Sequence, residues 1–319
     1  MRSHIHFRLS DRPHPLIAKP DKKDPPPVKP KGNPNVSSED PQGHLGLMQN
    51  HVWEEIEIQE LLSNLHAHKP QTFTDKIAYY TMRTAYNSFN FITGYQPVNT
   101  PVKAIEWRLI ILESVAGVPG FVAGGFRHFS SLRNLKRDHG WIHTLLEEAE
   151  NERMHLLVCL KMFNASPLTR GLVVTAQVIM TPLLCFTYFV KPKMAHRFVG
   201  YLEETACETY ANIINQVETP GTPLHKEWST LPAPAIGISY WRLHEDALWV
   251  DTLKCMFADE TNHRDVNHTF ADMESDDPNP FISKHKKDAV KAWRLENEHS
   301  FSSVGIKSYK NIVDEEKKK

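Results

Sequence analysis

The sequence predicts an all-α fold, and three observations carry that prediction. Apolar residues recur at helical spacing from about residue 72 onward. Strand-type alternation is nearly absent. Four carboxylates and two histidines stand in the order Glu113, Glu152-Arg153-Met154-His155, Glu203, Glu260-Thr261-Asn262-His263. Residues three apart share a helix face, so each Glu-x-x-His can point both of its side chains inward together.

The chain of 319 residues is 40% hydrophobic, enough for a sizeable core. A net charge of −1 argues against a nucleic-acid partner. Residues 1–50 are expected to form a Pro-rich disordered arm, since Asp24-Pro25-Pro26-Pro27-Val28-Lys29-Pro30 supports neither helix nor central strand. Within it Arg2, Arg8, Arg12 and Lys19 face a single acid, Asp11. That pattern is compatible with an organellar targeting segment and equally with a plain flexible tail. Residues 51–275 form the helical domain, and residues 276–319 a polar tail ending in Asp314-Glu315-Glu316-Lys317-Lys318-Lys319.

Inside the domain, Thr72-Phe73-Thr74-Asp75 resembles a helix N-cap, and helical spacing then runs to about Phe91. Further helices are expected near 101–130, 138–164, 167–191, 194–218 and 244–271. The breaks between them carry turn chemistry, such as Gly94-Tyr95-Gln96-Pro97 and Thr219-Pro220-Gly221-Thr222-Pro223. Cys159, Cys185, Cys207 and Cys255 have no metal-type spacing and fit a reduced compartment better than a disulfide framework.

The run Gly171–Val190 lacks any charge and is long enough to cross a hydrocarbon core of ~30 Å. It could span, serve as a core helix, or lie in one leaflet. A single crossing would put Glu113 and Glu152 on the opposite side from Glu203 and Glu260. The reading adopted is a helix lying on the membrane with its apolar face inserted, flanked by Arg170, Lys191, Lys193 and Arg197 at head-group height.

The six residues Glu113, Glu152, His155, Glu203, Glu260 and His263 suit a pair of iron ions in a four-helix bundle. Carboxylate oxygens match hard iron and can bridge two ions, and each imidazole adds one nitrogen. Successive stations lie 39, 51 and 57 residues apart, which suits helices joined by turns or by one intervening helix. Glu203 follows Phe198-Val199-Gly200-Tyr201-Leu202, and an acid in an apolar helix needs a partner. A third Glu-x-x-His, Glu296 to His299, is set aside because it lies in the polar tail. Glu147, Glu148 and Glu150 read as the solvated face of the Glu152 helix. Glu204 points away from Glu203, His268 falls off the face of His263, and His143 is structural.

At these residues the sequence resembles the alternative oxidases, the cyanide-insensitive ubiquinol oxidases of mitochondria. The matching blocks are Trp107-Arg108-Leu109-Ile110-Ile111-Leu112-Glu113-Ser114, the stretch from Asp138 to His155 ending in Asn151-Glu152-Arg153-Met154-His155, the block His196 to Glu204, and Ala258-Asp259-Glu260 on to His268. The resemblance covers roughly residues 72–275 and implies a ferritin-like four-helix bundle. Two additional membrane-interface helices would dock it on one leaflet as a homodimer, at the matrix side of the mitochondrial inner membrane. It implies two iron ions as cofactor, and two ubiquinols oxidised while O2 is reduced to water without charge pumping.

By position, the resemblance makes those six residues the iron ligands and Tyr210 the tyrosine beside the irons. Asn151, Asp259, His196 and Trp241 would orient the ligands through hydrogen bonds. Arg108, Leu112, Leu202, Ala206 and Thr209 would line the quinol pocket. The chain departs from the family pattern at Thr205, Phe257, Asn90 and Tyr86, which puts the details of that pocket in question. Residues 1–158 contain no cysteine, so thiol control of the plant type is not expected. The rival readings are a di-iron quinone-biosynthesis hydroxylase, an iron-storage bundle and a membrane-associated helical scaffold.

Overall fold

In the computed structural model, residues 52–282 are described. The expected arm, its targeting segment and Glu296–His299 lie outside them. The elements are α1 (Glu55–Ser63), α2 (Phe73–Thr93), α3 (Val102–Asn134), α4 (Trp141–Met162), α5 (Pro167–Val190), α6 (Pro192–Glu218), α7 (Pro223–Trp228), α8 (Ala235–Trp241) and α9 (Trp249–Asp272). No strand occurs among the described residues, only a bridge between Pro232 and Leu248.

Local chemistry sets the ends of these helices. Thr72 Oγ1 accepts from the Asp75 amide at 3.1 Å, and Asp75 Oδ2 accepts from the Thr72 amide at 3.0 Å. This capping box opens α2 where the sequence places it. Gly94, in the left-handed region at φ +66°, closes the same helix. At the start of α4, Asp138 Oδ2 accepts from the Ile142 amide at 2.6 Å.

Three short helices were not expected from the sequence: α1, α7 and α8. Each spans two or three turns at most, too few residues for an apolar period to stand out. The last long helix begins at Trp249 rather than at 244. The chain before it is held extended, with Ala233 N–H donating to Ala247 O at 2.9 Å and Trp249 N–H to Leu231 O at 2.7 Å. Residues 276–282, read as the start of the tail, pack back onto α4. Trp141 Nε1 donates to Asp277 O at 2.8 Å, and Asn279 Nδ2 to Thr144 Oγ1 at 2.7 Å.

The bundle consists of α3 against α4 and α6 against α9, with α4 also meeting α9. The apolar, glycine-bearing stretch of α3 is explained by packing. A Cβ at Gly120 would lie 2.6 Å from the Leu145 carbonyl oxygen, and one at Gly117 3.0 Å from that of Ala149. These glycines let the α3 and α4 backbones approach closely. Pro119 is accommodated inside the same helix.

Helix α2 lies on α6, and α5 lies on α3 and α6. Helix α5 has a mean hydropathy of 1.8 over its most apolar window, yet only 11% of that window is buried, against 56% for α3. Val178, Ile179, Leu183, Phe186 and Phe189 are each more than 60% exposed. Gln177 Nε2 donates to Ser114 O at 2.7 Å, fastening α5 lengthwise to the bundle. Arg197 is corrected from its expected role at head-group height. It is buried and paired with Asp75 at 3.2 Å and with Asp272, because α2 and α9 close over its face of α6.

Candidate metal centre

Each bundle helix delivers one station. Glu113 comes from α3, Glu152 and His155 from α4, Glu203 from α6, and Glu260 and His263 from α9. All six are buried. Their ligating atoms fall into two groups, Glu113 with Glu152, His155 and Glu260, and Glu203 with Glu152, Glu260 and His263. Within each group the atoms lie inside 4.8 Å of one another. Glu152 and Glu260 belong to both groups, so each can face two ions at once.

The atoms crowd together without satisfying one another. His155 Nδ1 lies 3.2 Å from Glu260, 3.4 Å from Glu113 and 3.6 Å from Glu152. His263 Nδ1 lies 2.7 Å from Glu152 and 3.6 Å from Glu260. Both Nδ1 atoms, both oxygens of Glu152, and one oxygen each of Glu113, Glu203 and Glu260 still lack an aligned hydrogen bond. Buried polar atoms are rarely left so, and a shared cation would satisfy all of them. Hard oxygens with one imidazole per group fit iron.

The electrostatics agree. Burial pushes the Glu113 carboxyl up to about 8. Burial, with Glu260 and Glu152 nearby, drives Glu203 well above the usual carboxylate range. Burial opposes ionisation of Glu260 too, but the imidazoles of His155 and His263 hold it low. Four carboxylates this close cannot all be ionised without positive charge between them.

The surrounding groups fix the ligands. Tyr210 donates its hydroxyl to Glu113 Oε1 at 2.7 Å, leaving Oε2 for a metal. Asp259 Oδ2 lies 3.2 Å from His155 Nε2 and accepts from Trp241 Nε1 and Asn151 Nδ2, both at 2.9 Å. A carboxylate behind a histidine in this way sets the ring's orientation and raises its basicity as a ligand. Two contributors to this network were not picked out in the sequence. Trp53 donates to Asp259 Oδ1 at 2.6 Å, and Tyr240 Oη accepts from Asn151 at 3.0 Å. Neither sits at a helical spacing from a ligand, so no local signal marks them. His196 does not bond to a ligand directly and reaches His263 only through Asn267.

The decoy acids divide. Glu204 does point away, accepting from the His68 amide at 2.5 Å and pairing with His268 at 2.9 Å. His143 is largely exposed and 3.9 Å from Glu147. Glu148 is corrected: it is 4% exposed, not part of the solvated face. It precedes Glu152 by one turn, and that i, i+4 spacing was the available signal.

On the other side of Glu113, Arg108 is fully buried. Its guanidinium stacks over Tyr95 at 4.3 Å, Phe89 at 4.9 Å and Tyr86 at 5.3 Å, and Nη1 donates to Thr93 Oγ1 at 3.4 Å. Its Nε and Nη2 have no partner, nor has Asn90 Oδ1. Tyr86 Oη lies 3.3 Å from Thr209 Oγ1. Leu202 packs with Tyr86 and Met82 between α2 and α6. Leu112 and Ala206 are half-buried beside Glu113 and Glu203 in the chain.

The family model for alternative oxidase matches residues 54–272. The chain is similar to the protein named alternative oxidase, mitochondrial, of Cryptococcus neoformans var. grubii, 43% identical over 235 residues. That match covers 66% of this chain and 58% of the relative, so the chain spans less than two thirds of that protein's length. The protein of the same name from Neurospora crassa is 39% identical over 259 residues, 75% of this chain and 70% of its own. That of Wickerhamomyces anomalus is 43% identical over 233 residues, 68% and 67% respectively. A helical bundle carrying paired Glu and His groups, matched by the family model along nearly all of its described length, shows that the chain belongs to the alternative oxidase family.

Proposed function

We propose that the protein is a ubiquinol:oxygen oxidoreductase that oxidises two quinols and reduces O2 to water at a non-haem di-iron centre. The observation that carries this reading is the pair of buried ligand groups joined through Glu152 and Glu260, with their donor atoms otherwise unsatisfied. Two irons bound there would supply the electron exchange between quinol and dioxygen. Glu113 and His155 would help hold one ion, Glu203 and His263 the other, with Glu152 and Glu260 available to both. Tyr210 keeps its proton because burial raises its pKa, and it presents that proton at Glu113 Oε1. Complete burial of the six side chains keeps bulk water from the site.

Arg108 offers two free donors in an aromatic cage, which suits a quinol oxygen, with Leu112, Leu202, Ala206 and Thr209 completing the pocket. The exposed apolar faces of α5 and α2 would dock on one leaflet, so that a lipid-soluble quinol enters from the side. Residues 51–275 would form this domain, working as a homodimer at the matrix side of the mitochondrial inner membrane. The arm 1–50 and the tail 276–319 would lie outside the catalytic unit.

The test is oxygen uptake by iron-loaded protein in lipid vesicles. The expected result is cyanide-resistant, quinol-dependent uptake with two quinols consumed per O2 and no oxygen added to the quinone. Formation of a hydroxylated quinone would support the biosynthetic hydroxylase instead, and absence of uptake would exclude both. Arg108→Leu is expected to lower kcat/KM for quinol by roughly tenfold to a hundredfold, the loss of about 1.5–3 kcal/mol from one charged hydrogen bond. Iron content should be unchanged, and an unaltered kcat/KM would remove Arg108 from the pocket.

A further inference from the structure

Glu148 is a buried carboxylate outside both ligand groups, one turn before Glu152 on α4. Both of its oxygens accept from one amide, Asn267 Nδ2, at 3.0 and 2.9 Å. The same amide donates to the His263 backbone carbonyl at 3.0 Å, and Asn267 follows His263 by one turn on α9. Three acceptors converge on that nitrogen, so it is the amide's NH2 end. The other end, Asn267 Oδ1, lies 3.0 Å from His196 Nδ1. His196 Nε2 lies 3.3 Å from the Tyr188 hydroxyl. Burial pushes the His196 pKa down to about 4, so the ring is neutral and donates from Nδ1 to Asn267.

A purely structural carboxylate does not fit here. Burying an acid behind a single amide is costly, and an apolar residue would pack more cheaply. Burial pushes the Glu148 carboxyl up to about 7, so a place for it there calls for a use beyond packing. His155 has a carboxylate, Asp259, bonded directly to its ring. Among the described residues His263 makes no such ion pair with Asp259, and Glu148 reaches the His263 turn through Asn267.

We propose that Glu148 and Asn267 are the positioning pair for His263. Asn267 ties the Glu148 carboxylate to the His263 backbone, and His196 fixes the plane of that amide. Glu148, held by that amide, then steadies the turn of α9 that carries His263, as Asp259 steadies the ring of His155. The inference rests on the metal centre proposed above, and it assigns one supporting carboxylate to each of the two ions.

Cobalt(II) titration of the metal-free full chain tests it. Wild type is expected to bind two equivalents. Glu148→Gln should weaken the overall binding constant by about tenfold or more, and Asp259→Asn by a similar factor. If the two carboxylates serve different ions, the double variant loses the product of the two factors. Asn267→Ser, which keeps Glu148 but removes its tether, should reproduce most of the Glu148→Gln loss and serves alone if that variant does not fold. In the iron-loaded enzyme kcat should fall with KM for quinol unchanged. Wild-type affinity in Glu148→Gln or Asn267→Ser, or a double variant no weaker than Asp259→Asn alone, overturns the positioning role. Failure of wild type to bind cobalt would instead sink the metal-centre reading itself.

Discussion

Replacing Glu152 by Gln is expected to abolish the proposed quinol-dependent oxygen uptake and to remove the stabilisation that bound iron would confer. Glu152 is fully buried and belongs to both ligand groups, so the substitution damages both ion sites at once. Without metal, four carboxylates crowd together and cannot all be ionised, so burial and mutual repulsion push Glu113 and Glu203 up. Metal binding relieves that repulsion and stabilises the fold by mass action, by about 2.7 kcal/mol for a site whose free ligand is a hundredfold above Kd. In a domain of this size that corresponds to a rise in Tm of roughly 5–10 °C. The expected pattern is a large iron-dependent rise in wild type and little or none in Glu152→Gln. Full uptake by the variant, or an equal iron-dependent rise in both proteins, would refute the shared-ligand assignment.

Gly120→Leu is expected to be the most destabilising single change in the α3–α4 packing. The first added atom would lie 2.6 Å from a backbone carbonyl oxygen, that of Leu145, and would also press on Ala149 at 3.2 Å. A flexible side chain could move aside, but a helical carbonyl cannot without shifting all of α4. Overpacking typically costs 1–3 kcal/mol and more where backbone must move, so a loss of about 3 kcal/mol or more is expected. Shifting α4 also displaces Glu152 and His155 relative to Glu113, so iron content should fall together with Tm. Gly125, where an added Cβ meets nothing within 4 Å, is the control: Gly125→Ala should leave both unchanged. A Gly120→Leu protein with wild-type Tm would show that the two helices are less tightly apposed than described.

The chemistry of the centre was legible because it is written at helical spacing. Glu152 with His155, and Glu260 with His263, each fall on one face whatever the rest of the chain does. Thr72 and Asp75 announce the start of α2 for the same reason, since a capping box is local. The uncharged run Gly171–Val190 was read as a helix with one exposed apolar face, and α5 leaves most of it exposed, while the ligand order argued against a single crossing there.

What sequence by itself determined, then, is the long helices and the grouping of Glu and His on their faces, because both follow from contacts within one or two turns. The tertiary structure decided what depends on a neighbour arriving through space. Glu148 looked solvated until α9 brought Asn267 to it, and Arg197 looked free until α2 and α9 brought Asp75 and Asp272. Trp53 joined the His155 network from a segment whose place no periodicity records. Gly117 and Gly120 of α3 proved to be where two backbones nearly touch. Burial and electrostatic pairing are properties of the assembled bundle, so a polar residue's partner can be named only once the facing helix is in place.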